Sequence, residues 1–383
     1  MPIIQPLFIL FLGLVDGQML SPLLPALAAE FGVSPATMGM VVTAYACAAA
    51  VCALIIGPLS DRWGRIIFLR AAAILFALAS LMAYFADGFA MYFGARVLAG
   101  LAGGTISACV LAQIADTFTF QHRGRAMGWV GATYSIAAII GVPAAAWMTE
   151  RWSWRGIYLV IAIAAALPAF SLRPLPAQAA PARTVFLRQA LRDYLRYWRT
   201  ATTRHGLLLA SMISGTAAAL LTYLGAFLTA SFGMSISAVG LIFLTAGLTS
   251  TFGALAGGGL SDLVGKQRML TLCSLALALI FPVLVHAQNV VQLHLLVGAA
   301  GLFLAAREGP YQALISELIA PTERGAYIAM RNATSQLAIA GSAACAGWLY
   351  SRSGFGAVTW FATALSLIAA LLVWLIKEPR RQD

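Results

Sequence analysis

The chain reads as an all-α integral membrane protein of twelve transmembrane helices in two pseudo-symmetric six-helix bundles, and three observations carry that reading. The first is composition. Of the 383 residues 61% are hydrophobic and 10% charged, with a mean hydropathy of +0.87, which leaves too little polar surface to cover a water-soluble globule of this length. The second is the length of the apolar runs: many reach the roughly 20 residues that cross a ~30 Å hydrocarbon core at ~1.5 Å per residue, and none shows the alternation of a membrane barrel. The third is an internal repeat. Gly57-Pro58-Leu59-Ser60-Asp61-Arg62-Trp63-Gly64-Arg65 returns 201 residues later as Gly258-Gly259-Leu260-Ser261-Asp262-Leu263-Val264-Gly265-Lys266. At the same offset Asp116, Arg123 and Gly124 meet Glu317, Arg324 and Gly325, while Gly100 and Thr133 meet Gly301 and Thr334. Repetition at half the chain length, in a protein this apolar, predicts two similar halves related by an axis along the membrane normal.

Taken in order, the spans of the first half fall at residues 5–27, 36–60, 66–86, 89–115, 124–148 and 154–172, and those of the second at 205–231, 236–260, 268–286, 290–318, 325–350 and 355–377. Their limits are set by Gly, Pro and charge. The first run begins near Met1 without a basic start or a small-residue cleavage site, so it reads as a retained helix. The expected units are an N-terminal bundle, residues 1–172, a basic linker, 173–204, and a C-terminal bundle, 205–383.

Orientation follows from the basic residues. With a cytoplasmic amino terminus, Arg62, Arg65, Arg70, Arg123, Arg125, seven linker arginines, Lys266, Arg268, Arg324, Lys377, Arg380 and Arg381 lie inside, against Arg151, Arg155 and Arg352 outside. Eighteen against three places both termini in the cytoplasm of a bacterial-type inner (plasma) membrane. The formal charge of +11 then faces the anionic inner leaflet and calls for no nucleic acid. Within the linker Arg188, Arg192, Arg196 and Arg199 recur at helical spacing opposite Leu187, Leu191, Tyr194, Leu195 and Trp198, predicting an amphipathic helix on the inner membrane surface. The five cysteines, Cys47, Cys52, Cys109, Cys273 and Cys345, lie in apolar runs without paired spacing. Free, buried thiols are expected, with no metal site and no cofactor.

Charges inside spans are costly, at least ~2.5 kcal/mol for a carboxylate near the bilayer centre, and therefore point to function. Asp16 lies about 16 Å into the first span and Arg96 about 10 Å into the fourth at the helical rise. Burial there favours a neutral carboxyl and a nearby guanidinium favours a charged one, the conflict a proton-exchanging group needs. In the tenth span Arg307-Glu308-Gly309-Pro310 sets a charged pair before a helix-breaking dipeptide. A kink is expected there, with Glu308 as a second proton or cation site or an inner gate. Tyr45, Tyr134, Tyr223, Phe243, Tyr311, Asn332 and Gln336 are candidates for the wall of a central cavity.

The Gly57 to Arg70 turn resembles the loop between the second and third helices of the major facilitator superfamily, and the two-times-six plan resembles that family over essentially the whole chain. Arg96, Gly100 and Gly103 look like its Arg-x-x-x-Gly-x-x-Gly element, which lies beside the transport path in proton-coupled members. Gly128, Gly131, Gly141 and Pro143 are similar to the fifth-span element of bacterial twelve-helix drug:proton antiporters, although Val142 separates Gly141 from Pro143 and Ala144 to Ala146 stand where paired glycines occur. Trp154-Arg155 also resembles that group. The resemblance implies adjacent first and fourth helices, so that Arg96 reaches Asp16. The repeated loop residues Gly57, Asp61, Gly64, Arg65, Asp116, Arg123, Asp262, Glu317 and Arg324 are expected to form a cytoplasmic gate that latches the halves, and the resemblance implies that Asp61 faces the start of span eleven, where Arg331 is a candidate partner.

The expected function is secondary transport by alternating access: proton-coupled efflux of small lipophilic or cationic compounds by a monomer, with a proton and substrate competing for Asp16 and Arg96. Proton-coupled or facilitated movement of a metabolite is the alternative, with Arg96 and Arg307 together holding an organic anion. A phosphate-binding Gly-x-x-x-x-Gly-Lys-Ser/Thr loop is absent from the sequence, as are Gly-x-Ser-x-Gly and His-Glu-x-x-His elements. ATP-driven pumping and intramembrane proteolysis are therefore not expected, and His122, His205, His286 and His294 lack ligand spacing. A membrane-embedded sensor is disfavoured because about six residues follow the last span.

Overall fold

A computed structural model describes residues 4–118, 120–172, 187–319 and 323–376. The helices are α1 (Ile4–Gln18), α2 (Leu20–Glu30), α3 (Pro35–Trp63), α4 (Arg65–Tyr84), α5 (Phe89–Thr117), α6 (Phe120–Ile136), α7 (Val142–Arg151), α8 (Trp154–Ser171), α9 (Leu187–Arg199), α10 (Ala201–Phe232), α11 (Ile236–Val264), α12 (Lys266–Leu284), α13 (Val290–Ala306), α14 (Glu308–Glu317) and α15 (Arg324–Leu375). Among the described residues ten helical stretches are long and apolar enough to cross a membrane, and α1 with α2 forms one further candidate, bent by 53°. The two last expected spans join in α15, which breaks at Gly354 (φ 73°, ψ −173°), between the limits expected from the sequence.

The repeat extends into backbone geometry. Gly64 and Gly265, 201 apart, take φ of 91° and 92°, a conformation open only to glycine without strain. Ser34 and Ser235 cap α3 and α11 by accepting hydrogen bonds from Thr37 N (3.1 Å) and Ala238 N (3.3 Å). The bundles close through matched glycine contacts: a Cβ on Gly100 would stand 2.3 Å from Tyr45 O, and one on Gly301 2.7 Å from Ala246 O. Small residues of this kind let membrane helices approach closely where there is no hydrophobic drive between them. Because the obstacle is backbone, Gly100→Ala is expected to separate α3 from α5 at about 1–3 kcal/mol, the cost of overpacking. A thermal melt in detergent checks this against Gly341→Ala, whose Cβ meets nothing within 4 Å.

The halves touch toward the end that carries Gly32 and Gly233. Ser21 donates its hydroxyl to Leu221 O and accepts from Gly225 N (3.3 Å). Thr43 donates to Ala340 O (3.0 Å), and Tyr223 to Ala343 O (3.2 Å) with its hydroxyl lodged against Gly39 and Gly347. Glu150 accepts from Ser237 N (2.8 Å) and Ser235 Oγ (3.2 Å), so a carboxylate of one half caps a helix of the other. Toward the opposite end the halves are joined through α9. There Tyr194 donates to Leu54 O (3.3 Å), Arg196 pairs with Glu323 (2.7 Å) and Tyr197 packs edge-on against Tyr327 (5.2 Å).

Two expectations change. The side of α9 turned to the protein carries Tyr194 and Tyr197, while Leu195 is 61% exposed beside exposed Arg192, Arg196 and Arg199; tyrosines offer both an apolar ring and a hydroxyl for the backbone they meet. The side chains of Leu187, Arg188 and Leu191 lie outside the described residues. Cys109 and Cys273 are buried, but Cys47 and Cys345 are exposed, because an apolar residue in a membrane helix can face lipid as readily as the core.

Candidate functional site

Asp16 sits in the last turn of α1, three residues before the bend at Met19, and Arg96 near the start of α5. They are 1% and 2% exposed, and Arg96 Nη1 donates to Asp16 Oδ1 at 2.5 Å. Asp16 Oδ2 and Arg96 Nε have no hydrogen-bond partner among the described residues. The guanidinium lies over the Tyr45 ring, 5.1 Å from its centroid. The glycines of the Arg-x-x-x-Gly-x-x-Gly element make this possible: Gly100 clears the Tyr45 backbone, and a Cβ on Gly103 would stand 2.1 Å from the Tyr45 hydroxyl. The fifth-span element has a similar use. A Cβ on Gly141 would lie 2.2 Å from Val15 Cγ2, so the π-helical turn Ala137–Gly141 abuts α1 beside Asp16, and Pro143 follows where the altered hydrogen bonding accommodates it.

Behind the pair, toward the sealed end, Tyr92 and Tyr158 are hydrogen-bonded to each other at 2.6 Å, and Trp154 meets both rings edge-on. Trp154 Nε1 donates to Glu30 Oε2 (2.6 Å), and Arg155 also pairs with Glu30. Tyr92, Tyr158 and Glu30 are not among the expected site residues, whereas Trp154-Arg155 stands out in the sequence through its resemblance to the efflux group. Tyr92 had a usable signal, since it lies four residues before Arg96 on the same helix face; Glu30 and Glu150 meet partners more than 80 residues distant, and no local pattern shows that.

In the second half the structure separates Arg307 from Glu308. Arg307 is 1% exposed within the bundle and donates Nη2 to Ile213 O (3.0 Å), with Nε and Nη1 unpartnered. Glu308 is exposed. The expected break is slight: Arg307 between α13 and α14 keeps helical dihedrals (φ −80°, ψ −18°). Gly309-Pro310 falls in the first turn of α14, where proline's missing N–H costs little.

Arg331 lies over the Tyr311 ring (5.8 Å) and donates to Asn332 Oδ1 (2.5 Å). Tyr134, 48% exposed, lies within electrostatic reach of Arg331 and Glu308 from the other half. Gln336 is partly exposed on the same helix. Tyr223 and Phe243, also expected on a cavity wall, are 0% and 7% exposed; Tyr223 seals the halves and Phe243 packs in the core.

Among the expected gate residues, Glu317 pairs with Lys266 and Asp262 is exposed. A Cβ on Gly57 would meet nothing within 4 Å and its carbonyl accepts from Ser60 Oγ (3.0 Å), Gly64 makes the turn and Arg65 opens α4. The side chains of Asp61, Asp116, Arg123 and Arg324 lie outside the described residues. Arg331 was expected opposite Asp61; its described contacts are with Tyr311 and Asn332.

Comparison with known proteins adds the following. The model of the Major Facilitator Superfamily matches residues 7–227 and 207–383. The chain is 26% identical over 381 residues to the uncharacterized MFS-type transporter YceJ of Bacillus subtilis (strain 168), covering 98% of this chain and 96% of that one. Shorter matches join it to the probable 4-methylmuconolactone transporter of Cupriavidus pinatubonensis (33%, covering 37% of this chain and 34% of that one) and to the multidrug transporter protein MdtP of Bacillus subtilis (26%, 39% and 28%). A bacterial homolog of the human lysosomal transporter Spinster, solved in an inward-facing and occupied conformation, superposes with a TM-score of 0.79 at 14% identity over 98% of this chain and 96% of that one.

Proposed function

The chain belongs to the Major Facilitator Superfamily, and we propose that this transporter works by alternating access, exchanging protons for small lipophilic compounds that it exports. The observation that carries the proposal is the buried Asp16–Arg96 pair, whose second carboxylate oxygen is unpartnered. A proton arriving there neutralises Asp16 and releases Arg96; loss of the proton restores the pair. An efflux-pump relative, similar over 39% of this chain, supports export. The cationic part of the expected substrate range gains nothing from the site, since Asp16 is already engaged by Arg96. Movement of a metabolite or organic anion is the second reading, and the position of Arg331 beside Tyr311 favours it.

In this account the spans number twelve, with α1 and α2 counted as one and α15 divided at Gly354. The bundles are residues 1–172 and 205–383, and the basic linker 173–204 lies on the cytoplasmic face beside anionic lipid. The Gly64 and Gly265 turns face the cytoplasm, so the sealed end is the outer one. Purified protein in liposomes tests the reading. Lipophilic export is expected to accelerate under a pH gradient acid on the outer side and to fall to the downhill rate when a protonophore collapses it. A rate indifferent to the gradient would refute proton coupling.

A further inference from the structure

Two buried polar atoms of the second half have no hydrogen-bond partner among the described residues: Arg331 Nε and the Tyr311 hydroxyl. They belong to stacked neighbours: the guanidinium lies 5.8 Å from the Tyr311 ring centroid and within electrostatic reach of its hydroxyl. Nε can only donate, and a tyrosine hydroxyl donates readily. Two adjacent donors left unsatisfied, one of them cationic, are completed by an anionic acceptor, and a guanidinium edge matches a carboxylate in shape.

Charge points the same way. Among the described residues, Asp16 and Arg96 neutralise each other. Arg307 lies within electrostatic reach of its neighbour Glu308. Arg331 has no carboxylate within ion-pair distance among the described residues. Glu308, which is exposed, lies within electrostatic reach of Tyr311 and Tyr134 as Arg331 does, so an anion is held at the Arg331 guanidinium itself and not by a net charge of the wall. The expected alternative of an anion shared by Arg96 and Arg307 does not fit the geometry, because Arg96 is paired with Asp16 and Arg307 is enclosed by its own bundle. Aromatic surface is also present at Tyr134, which approaches from the other half with 48% of its surface free, while the Tyr311 ring beneath Arg331 is buried. A flat ring bearing one acidic group meets both features.

We propose that Arg331 and Tyr311 form the carboxylate subsite for a planar aromatic monocarboxylic acid, whose ring packs against Tyr134. This rests on the reading of the chain as a transporter, but not on proton coupling at Asp16.

The experiment uses the full-length protein in detergent, with melting temperature and ligand titration as readouts. The probes are benzoate, salicylate and 1-naphthoate, their methyl esters, and benzylamine. The acids are expected to raise the melting temperature and the esters and the amine to leave it unchanged, since a ligand stabilises only the state that binds it. Arg331→Gln should weaken acid binding by about tenfold or more, the cost of losing a charged hydrogen bond, and Tyr311→Phe by about threefold or more. Should Arg331→Gln not fold, Arg331→Lys takes its place: it keeps the charge but loses the fork, and weakened binding is expected there too. Equal stabilisation by benzylamine, no response to any of the acids, or unaltered acid binding in the Arg331 and Tyr311 variants would overturn the subsite. Asp16→Asn keeps the two ideas separate, for it should still bind the acids; if it also retains proton-driven flux, coupling at Asp16 fails while the subsite stands.

Discussion

Asp16→Asn is expected to abolish proton-driven accumulation while the protein still folds and still exchanges substrate downhill. The two effects separate because asparagine keeps an oxygen that can accept from Arg96 Nη1, where the native contact is 2.5 Å, but cannot take up a proton. Removing one partner of a buried ion pair outright costs about 3–5 kcal/mol, since it leaves the other charge uncompensated. Asp16→Ala should therefore lower the melting temperature markedly, whereas Asp16→Asn, with the Tyr45 ring still beneath the guanidinium, should lower it less. Flux in liposomes with and without a pH gradient, alongside a melt of each variant, checks both statements. Retention of gradient-dependent flux in Asp16→Asn would remove the carboxylate from the coupling step.

Gly225→Val should shift the molecule toward the state open at the sealed end without unfolding either bundle. A Cβ on Gly225 would stand 2.1 Å from Ser21 O, and the obstruction lies between the halves, so they can yield by parting. Overpacking of this kind costs about 1–3 kcal/mol, which as a difference between two conformations changes their ratio by about 5–150-fold. A cysteine at Thr43, behind the seal, should then react faster with a membrane-impermeant thiol reagent added from the outer side. Unchanged labelling would mean that the Gly225 contact does not hold that end closed. The contrast with Gly100→Ala is instructive: its steric conflict is of similar size but lies inside one bundle, so it must appear as lost stability.

Much of this architecture was legible because it depends on local or repeated signals. The 201-residue offset foresaw the matched turns at Gly64 and Gly265, and the caps Ser34 and Ser235 obey the same offset. Asp16 and Arg96 stood out because membrane charges are expensive, and the resemblance placed their helices together. What the sequence concealed depends on which way a side chain turns. Arg307 and Glu308 are consecutive yet one is buried in the bundle and the other exposed, as successive residues on a helix must diverge. Tyr223 carries the same chemistry as Tyr134, but glycines on two other helices make a socket for its hydroxyl. Gly309-Pro310 suggested a break because its position within the first turn of a helix could not be known. Arg331 was assigned to a gate by analogy, and its position over Tyr311 shows only in three dimensions.

In the proposed mechanism the protonation state of Asp16 sets which end of the transporter is open. Spin labels at Trp152 and Val291, both exposed toward the sealed end, and at Trp63 and Leu263, both exposed beside the opposite turns, report the two openings as distances in a cysteine-free background. In the otherwise native protein, lowering the pH should redistribute both distances in opposite senses. In Asp16→Asn both distributions should be independent of pH. If Asp16→Asn follows pH as the native carboxylate does, the switch lies elsewhere and the account is wrong.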